Sequence, residues 1–382
     1  MTGQNSAMQP GAIAVLLHDL RGGGAERVML NLAKGMAAAG RHVTLVLVNA
    51  KGDYLDQIPS ELEVVNLGQP SVFRAIPAIA AYVKKARPAS VLSALPHVNI
   101  AALLAKTLFR LKVRVVLTEH NQITLKADGA SGARRKLTFF LVPKLYRSAD
   151  AVVAVSNGVA NDIEKFAKLP ANSVKCIYNP SFSPKILERA QEEPVHPWFF
   201  DSGSDILLAA GRLHKQKAYD VLLRAMALVR HHCDVRLLVI GEGDERKSLE
   251  AMRDELGLND VVDFAGFCAN PFAAMARSRL LVMSSAWEGL PTVLIEAMAC
   301  DLPIVTTDCP SGPSEILDNG TYGYLTPVGD PVALSKAILE ALDNPMRGGP
   351  ERAKVFSVEA AVQRYLEAFA AAFGGGEHEQ WP

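Results

Sequence analysis

AIAVLLHDLRGGGAERVMLNLAKGMAAA, residues 12–39, decides the fold. It reads as an apolar run, a glycine turn and a helix. Ala12–His18 is short and almost unbroken in Ala, Ile, Val and Leu, as a strand covered on both faces should be. Arg21 and three glycines close it, and from Ala25 to Ala39 the apolar residues return at helical spacing. A second strand follows at His42–Val48 (HVTLVLV). Strand, helix and strand in this order build a parallel sheet.

Working outward, Val91–Leu95, Arg114–Thr118 and Ala151–Val155 continue the series. Pro88 to Ala105 is the longest run without charge. Pro96, His97 and Asn99 interrupt it, so it reads as a buried strand and a helix rather than a membrane span. The alternation pauses at Tyr178-Asn179-Pro180, and Pro184, Pro194 and Pro197 mark an expected interdomain linker. A second series starts at Asp205. Its strands are Ile206–Ala210, Arg236–Ile240, Val261–Ala265, Leu280–Ser284 and Pro303–Thr306. Helices are expected at Tyr219–Arg230, Asp244–Leu256, Val332–Leu342 and Val358–Phe369, and the tail GGGEHEQWP is expected to fray. The fold class is therefore α/β, with two Rossmann-like doubly wound domains facing across a cleft. The expected domains are 1–182 and 183–357, with a C-terminal helix and tail at 358–382 that could pack back on the first.

The totals agree. A chain of 382 residues exceeds one ordinary core, and 49% hydrophobic with 21% charged residues is globular composition. Five cysteines without a C-x-x-C pair suggest reduced, mostly buried thiols of a cytosolic chain, not a disulfide framework or a zinc site. The opening MTGQNSAMQPG lacks the charged start and apolar core of a signal peptide. The net charge is zero, but residues 1–182 hold 22 Lys and Arg against 11 Asp and Glu. The second half holds the reverse excess, so the first half is expected to face something anionic.

Four loops could carry chemistry. RGGGAER (21–27) joins strand to helix, where backbone amides and the helix end suit a phosphate. A tight turn that needs glycine would read the same way. GRLHKQK (211–217) opens the second domain at the equivalent place, and Arg212 with Lys217 could neutralise a diphosphate or be two exposed charges. GEGDE (241–245) could meet a base or ribose, or be a turn with Asp244 capping the next helix. EGLPTVLIEAMAC (288–300) carries two carboxylates, with Pro291 suited to the first turn of a helix. If all eight steps were helical, Glu288 and Glu296 would lie roughly 12 Å apart along the axis. Paired glycosidase carboxylates sit about 5–9.5 Å apart, so separate duties fit better. A carboxylate can accept from two neighbouring hydroxyls, which suits Glu296 to a ribose and Glu288 to a sugar.

These residues together resemble the retaining glycosyltransferases of the GT-B fold, family 4. The E-x7-E element (Glu288, Glu296), G-R-L with Lys217 five after Arg212, GGGAERV and DCPSGPSEI (308–316) carry the likeness over nearly the whole chain. TEHN (118–121) and YNP (178–180) resemble the subgroup that builds bacterial lipid-linked oligosaccharides and surface polysaccharides, including N-acetylhexosamine transferases. The resemblance implies that Arg212 and Lys217 bind the donor diphosphate, that Glu296 holds the ribose and that Glu288 contacts the transferred sugar. Gly23 and Gly24 would close on the donor. Gly211, Gly241 and Glu242 would belong to the donor loops, with Gly289, Leu290, Pro291 and Thr292 around Glu288. His120 falls where the family often places a histidine near the donor sugar, although a lone histidine could be structural. Two positions depart from the family: Ala218 and Asp301 stand where glycine is usual, which puts the loop shape after Lys217 in doubt.

No D-x-D motif is present, so no metal is expected, and the nucleotide sugar, UDP-linked by resemblance, is substrate rather than cofactor. Residues 126–147 place Arg134, Arg135, Lys136, Lys144 and Arg147 beside Phe139, Phe140, Leu141 and Tyr146. That suits an anionic membrane surface, a lipid-linked acceptor and a peripheral place on the cytoplasmic face. A partly buried helix with solvated basic ends is the alternative. A dehydrogenase would need a dinucleotide fingerprint and an acidic residue after the second strand, and both are absent. A sugar-nucleotide epimerase or a non-catalytic sensor would share the donor residues. Nucleic-acid binding lacks any supporting motif.

Overall fold

The computed structural model describes residues 11–21, 24–129, 132–201 and 203–371. Gly23 and the tail GGGEHEQWP lie outside them. The chain divides into two compact units, Met1–Pro180 with Val358–Pro382, and Ser181–Ser357.

Among the described residues the first unit holds a seven-stranded sheet: β1 (Ile13–Leu17), β2 (Val43–Leu47), β3 (Glu63–Asn66), β4 (Ser90–Ala94), β5 (Arg114–Glu119), β6 (Ala151–Ala154) and β7 (Lys175–Cys176), in the order β3-β2-β1-β4-β5-β6-β7. Every pairing is parallel. All five residues of β1, β2 and β4 are buried, because helices cover both faces. That is why their sequences are continuous apolar runs. The short edge strands β3 and β7 were not read from the sequence. Residues Glu63, Val64 and Asn66 of β3 are exposed, so no apolar run marks it.

The second unit repeats the plan in six strands: β8 (Asp205–Ala210), β9 (Val235–Ile240), β10 (Val262–Gly266), β11 (Leu280–Met283), β12 (Ile304–Thr307) and β13 (Tyr324–Thr326), in the order β10-β9-β8-β11-β12-β13. These are parallel throughout. In each sheet the chain builds to one side of its first strand and then returns to the other. The crossing points, β1 beside β4 and β8 beside β11, are topological switch points, where open parallel sheets bind ligands.

Two expectations need correction. The segment marked by prolines after Asn179 is no open linker. Pro184–Ala190 is a helix packed on helix Pro271–Met275, held there by Arg189 Nη2 donating to Ala269 O at 2.6 Å and Arg277 Nη1 to Ala190 O at 3.1 Å. Pro184 and Pro197 start elements rather than keep the chain extended. The cysteines are less buried than expected: only Cys309 is fully buried, and the other four are half-buried.

Helix Val358–Ala371 belongs to the first unit, whose core takes in Val362, Tyr365, Ala368 and Phe369. Helix Gly24–Ala38 meets it at Gly35. A Cβ there would fall 2.4 Å from Val358 Cγ1, so glycine is what lets the two helices close. No helix among the described residues is long and apolar enough to cross a membrane.

Candidate active site

The second switch point gathers the predicted loops. Gly211 and Arg212 follow β8, and Ser284 to Glu288 follow β11, its neighbour in the sheet. Lys217 Nζ lies 2.7 Å from Glu288 Oε1, with side chains 18% and 8% exposed. Ser285 Oγ donates to the same carboxylate oxygen at 2.7 Å, and Gln216 Nε2 donates to Oε2 at 3.2 Å and to Trp287 O at 2.8 Å. Ser284 Oγ donates to Lys217 O at 2.8 Å, and Ala286 N to Gln216 O at 2.8 Å. The two loops are thus stitched together around one partly buried ion pair. Such a pair adds little net stability, because desolvation offsets the attraction, but removal of either partner strands a buried charge. An anion delivered to this spot would compete with Glu288 for the ammonium.

Arg212 is held differently. Its guanidinium is 70% exposed and reaches Asp244 at 3.6 Å, so it remains available to an incoming anion. Asp244 caps nothing. The helix begins at Arg246 with Glu245 in the cap position and no side-chain cap bond. Glu242 is occupied by Arg246 Nη1 at 2.7 Å.

The glycines in these loops serve the backbone first. A Cβ on Gly241, which has φ +142°, would sit 2.0 Å from Gly211 O. One on Gly243 would sit 2.2 Å from Leu213 O. Only glycine lets the loops after β8 and β9 pack backbone to backbone. Gly24 is the contrary case, since a Cβ there would meet nothing within 4 Å. Packing within its unit gives no reason for glycine at that position.

Glu296 lies on helix Thr292–Ala299, where every residue from Val293 onward is buried. Pro291 occupies the position before this helix rather than its first turn, and Leu290 is buried beneath it. Beside the helix end, burial and then the Glu296 charge push the Cys300 thiol up to about 12. Gly289 accepts from Ser311 Oγ at 2.8 Å, which ties the DCPSGPSEI segment to the same cluster.

Both departures from glycine fall where the backbone is left-handed. Ala218 has φ +45° and Asp301 has φ +51°. Asp301 gains side-chain partners in exchange: it accepts from Arg347 Nη1 and from Gly348 N, each at 3.2 Å. The loop keeps the glycine conformation with other residues in it.

Residues 22–180 match the family described as Glycosyltransferase Family 4, and residues 191–361 match Glycosyl transferases group 1. The chain belongs to glycosyltransferase family 4. It is 28% identical over 344 residues to the N-acetylgalactosamine-N,N'-diacetylbacillosaminyl-diphospho-undecaprenol 4-alpha-N-acetylgalactosaminyltransferase of Campylobacter jejuni, over 87% of this chain and 90% of that one. Among solved structures it resembles sucrose-phosphate synthase from Thermosynechococcus elongatus (TM-score 0.78, 20% identity, 96% of this chain and 100% of that one). It also resembles Anabaena Alr3699/HepE in complex with UDP and glucose (TM-score 0.74, 21% identity, 94% and 100%). At these identities the structures establish the fold, GT-B.

The first unit of this glycosyltransferase carries its own polar centre at the end of β5. His120 is buried, with Nε2 3.1 Å from Thr118 Oγ1. Burial pushes its imidazole down to about 3, so at neutral pH it is uncharged. Glu119 beside it is fully buried and accepts from the Tyr146 hydroxyl and, at 2.8 Å, from Asn99 Nδ2. Burial pushes this carboxyl up to about 7, against the pull of Tyr146. Sequence reasoning missed Glu119, Gln216 and Ser285. The serines of MSSAWEGL, three or four residues before Glu288, were the available signal for the last.

Proposed function

We propose that this transferase retains anomeric configuration while moving a hexose or N-acetylhexosamine from a UDP-sugar to a hydroxyl of a lipid-linked glycan, in bacterial glycan or polysaccharide synthesis. The buried Lys217–Glu288 pair at the switch point of the second sheet carries the reading. In the transfer, the bond from the anomeric carbon to the diphosphate oxygen breaks and the bond to the acceptor oxygen forms on the same face. The acceptor proton leaves with the departing diphosphate. Negative charge grows on that leaving group, and preorganised cations stabilise it most where water is scarce. Arg212 offers a forked donor and Lys217 a point charge, which makes a metal unnecessary. When the diphosphate takes Lys217, Glu288 is released toward the sugar hydroxyls. Glu296 holds the ribose. Gly24, with no packing reason to be glycine, and Gly23 belong to the donor. His120, uncharged, can serve a sugar hydroxyl without charge repulsion from neighbouring cations.

The lipid-linked acceptor is supported by the diphospho-undecaprenol acceptor in the name of the Campylobacter relative. The basic first half and the exposed Leu137 and Phe140 fit attachment to the inner face of the cytoplasmic membrane.

Calorimetric titration with UDP in EDTA tests the donor site. The expected result is binding that survives EDTA and falls at least tenfold in Glu296→Ala. Binding of NADH with no response to UDP would overturn the reading. Product analysis without acceptor separates transfer from epimerisation.

A further inference from the structure

Lys217 is only one of three donors on the Glu288 carboxylate. Among the described residues, Lys217 Nζ and Ser285 Oγ each donate to Oε1 at 2.7 Å, and Gln216 Nε2 donates to Oε2 at 3.2 Å. A carboxylate offers about four lone-pair sites, so one on Oε2 stays open.

The three donors respond differently to a diphosphate. Lys217 is a cation, and phosphate oxygens compete for it directly. Gln216 and Ser285 are neutral, so an anion draws on them far less. Both are also fastened where they stand. Ser285 is fully buried, and its carbonyl accepts from Thr307 Oγ1 at 2.6 Å, which ties the turn to β12. Gln216 is clasped to the turn after β11 at two points. Its carbonyl accepts from Ala286 N at 2.8 Å, and its side chain donates to Trp287 O at 2.8 Å. One end of this amide thus faces two acceptors, Trp287 O and Glu288 Oε2. Only the NH2 group can serve both, one hydrogen to each.

This arrangement matters once the ion pair opens. The Glu288 side chain is 8% exposed, and taking its cation away strands a buried charge. The two neutral donors remain to offset that loss, because hydrogen bonds to a charged acceptor are stronger than neutral ones.

We propose that Gln216 and Ser285 are positioning residues for Glu288, holding its carboxylate in place while the donor diphosphate takes Lys217. The inference rests on the donor-site reading and adds to it the residues that let the ion pair open. With Lys217 gone, Oε1 regains a lone pair, and Oε2 already has one. The carboxylate then presents one acceptor on each oxygen to the hydroxyls of the transferred sugar, in an orientation set by the two neutral donors. Gln216 and Ser285 touch neither the diphosphate nor the sugar; each acts through Glu288. Without them the carboxylate would follow Lys217 or turn away. The sugar would lose its partner while the nucleotide kept its own.

Calorimetry on the full chain separates these two parts of the donor. UDP reports the nucleotide contacts. UDP-glucose, UDP-galactose and their N-acetylhexosamine counterparts report the added sugar, and the tightest of the four is the probe. Gln216→Met removes the amide donors at nearly the same length, and Ser285→Ala removes one hydroxyl. Each variant should bind UDP within threefold of the unaltered protein, which also shows that it is folded. Each should bind the UDP-sugar at least fivefold more weakly. Glu288→Ala should lower the ratio of UDP-sugar to UDP affinity in the same way. Adding Gln216→Met to it should change that ratio by less than twofold, since no carboxylate remains to be positioned. A merely structural role would weaken UDP and UDP-sugar together, or would persist undiminished beside Glu288→Ala, and either result would overturn the proposal. UDP-sugar affinity unchanged in either single variant would overturn it as well and leave the donor site standing. Failure of the unaltered protein to bind UDP or any of the four sugars would instead overturn the function, and the proposal with it.

Discussion

Ala218 and Asp301 carry the residue-scale lesson, because both sit in backbone built for glycine. An L-residue in the left-handed region costs about 1–2 kcal/mol, and the extra freedom of glycine in the unfolded chain returns about 0.4–1 kcal/mol of that. Ala218→Gly should therefore stabilise the second unit by roughly 0.5–1 kcal/mol in urea unfolding, with UDP affinity within twofold of the unaltered protein. Asp301→Gly should gain less, because it gives up the bonds from Arg347 and Gly348. Glu119 makes the other case. Its folded carboxyl titrates near 7 against an ordinary 4.5, so between those values the native state holds a proton that the unfolded chain has lost. Stability contributed by this group is full below about pH 4.5 and falls as pH rises through 7, by up to about 3 kcal/mol. Glu119→Gln should remove that slope. The stability difference between the two proteins, measured in urea at pH 5 and pH 8, should move in favour of the variant at pH 8. An unchanged difference would show the carboxyl to be ordinary.

At the scale of elements, the candidate site is an agreement between loops. The turns after β8 and β9 touch through Gly211 and Gly241, and those after β8 and β11 through Lys217 and Glu288. Gly241→Ala should drive the first pair apart, because the added carbon would lie 2.0 Å from a carbonyl oxygen that cannot swing away. Expected are a loss of about 2 kcal/mol or more, the cost of a strained, overpacked position, and donor affinity reduced more than tenfold. Far-ultraviolet circular dichroism of the folded variant should stay unchanged, since the strands themselves are untouched. The same view explains what the sequence could show. GRLHKQK and EGLPT stood out in the sequence as candidate phosphate and sugar loops because cations, glycines and a carboxylate cluster there just after strands. Gln216 was not, because its partner is a carboxylate more than seventy positions away and folded against it; Ser285, three residues before that carboxylate, had a local signal.

For the whole molecule, the order of strands matters most. Two sheets reverse at β1–β4 and at β8–β11, and each crossing faces a cluster of polar and basic groups. The chain also returns at its end to complete the unit where it began, since Phe369 is fully buried in a core built around β1. Phe369→Ala should cost about 3–5 kcal/mol. Hydrogen exchange should find the loss in the first unit alone: amides of Ile13–Leu17 should lose protection, and those of Asp205–Ala210 should not. Equal loss in both would contradict the division of the chain.

By itself the sequence determined the class of fold, the two sheets and the four strand-end loops proposed to bear the donor chemistry. Continuous apolar runs force buried parallel strands, and glycines or cations at their ends have local causes that can be read locally. It could not show the short strands β3, β7 and β13, whose pairing rests on neighbours rather than on an apolar run. Nor could it show that the proline-rich stretch folds as a helix against Pro271–Met275, or that Lys217 meets Glu288. Tertiary structure alone decided that Gln216 and Lys217 gather on the Glu288 carboxylate, because the turns after β8 and β11 come together only when the sheet reverses direction between those strands. Burial and convergence depend on packing between distant segments, and no local pattern of residues records them.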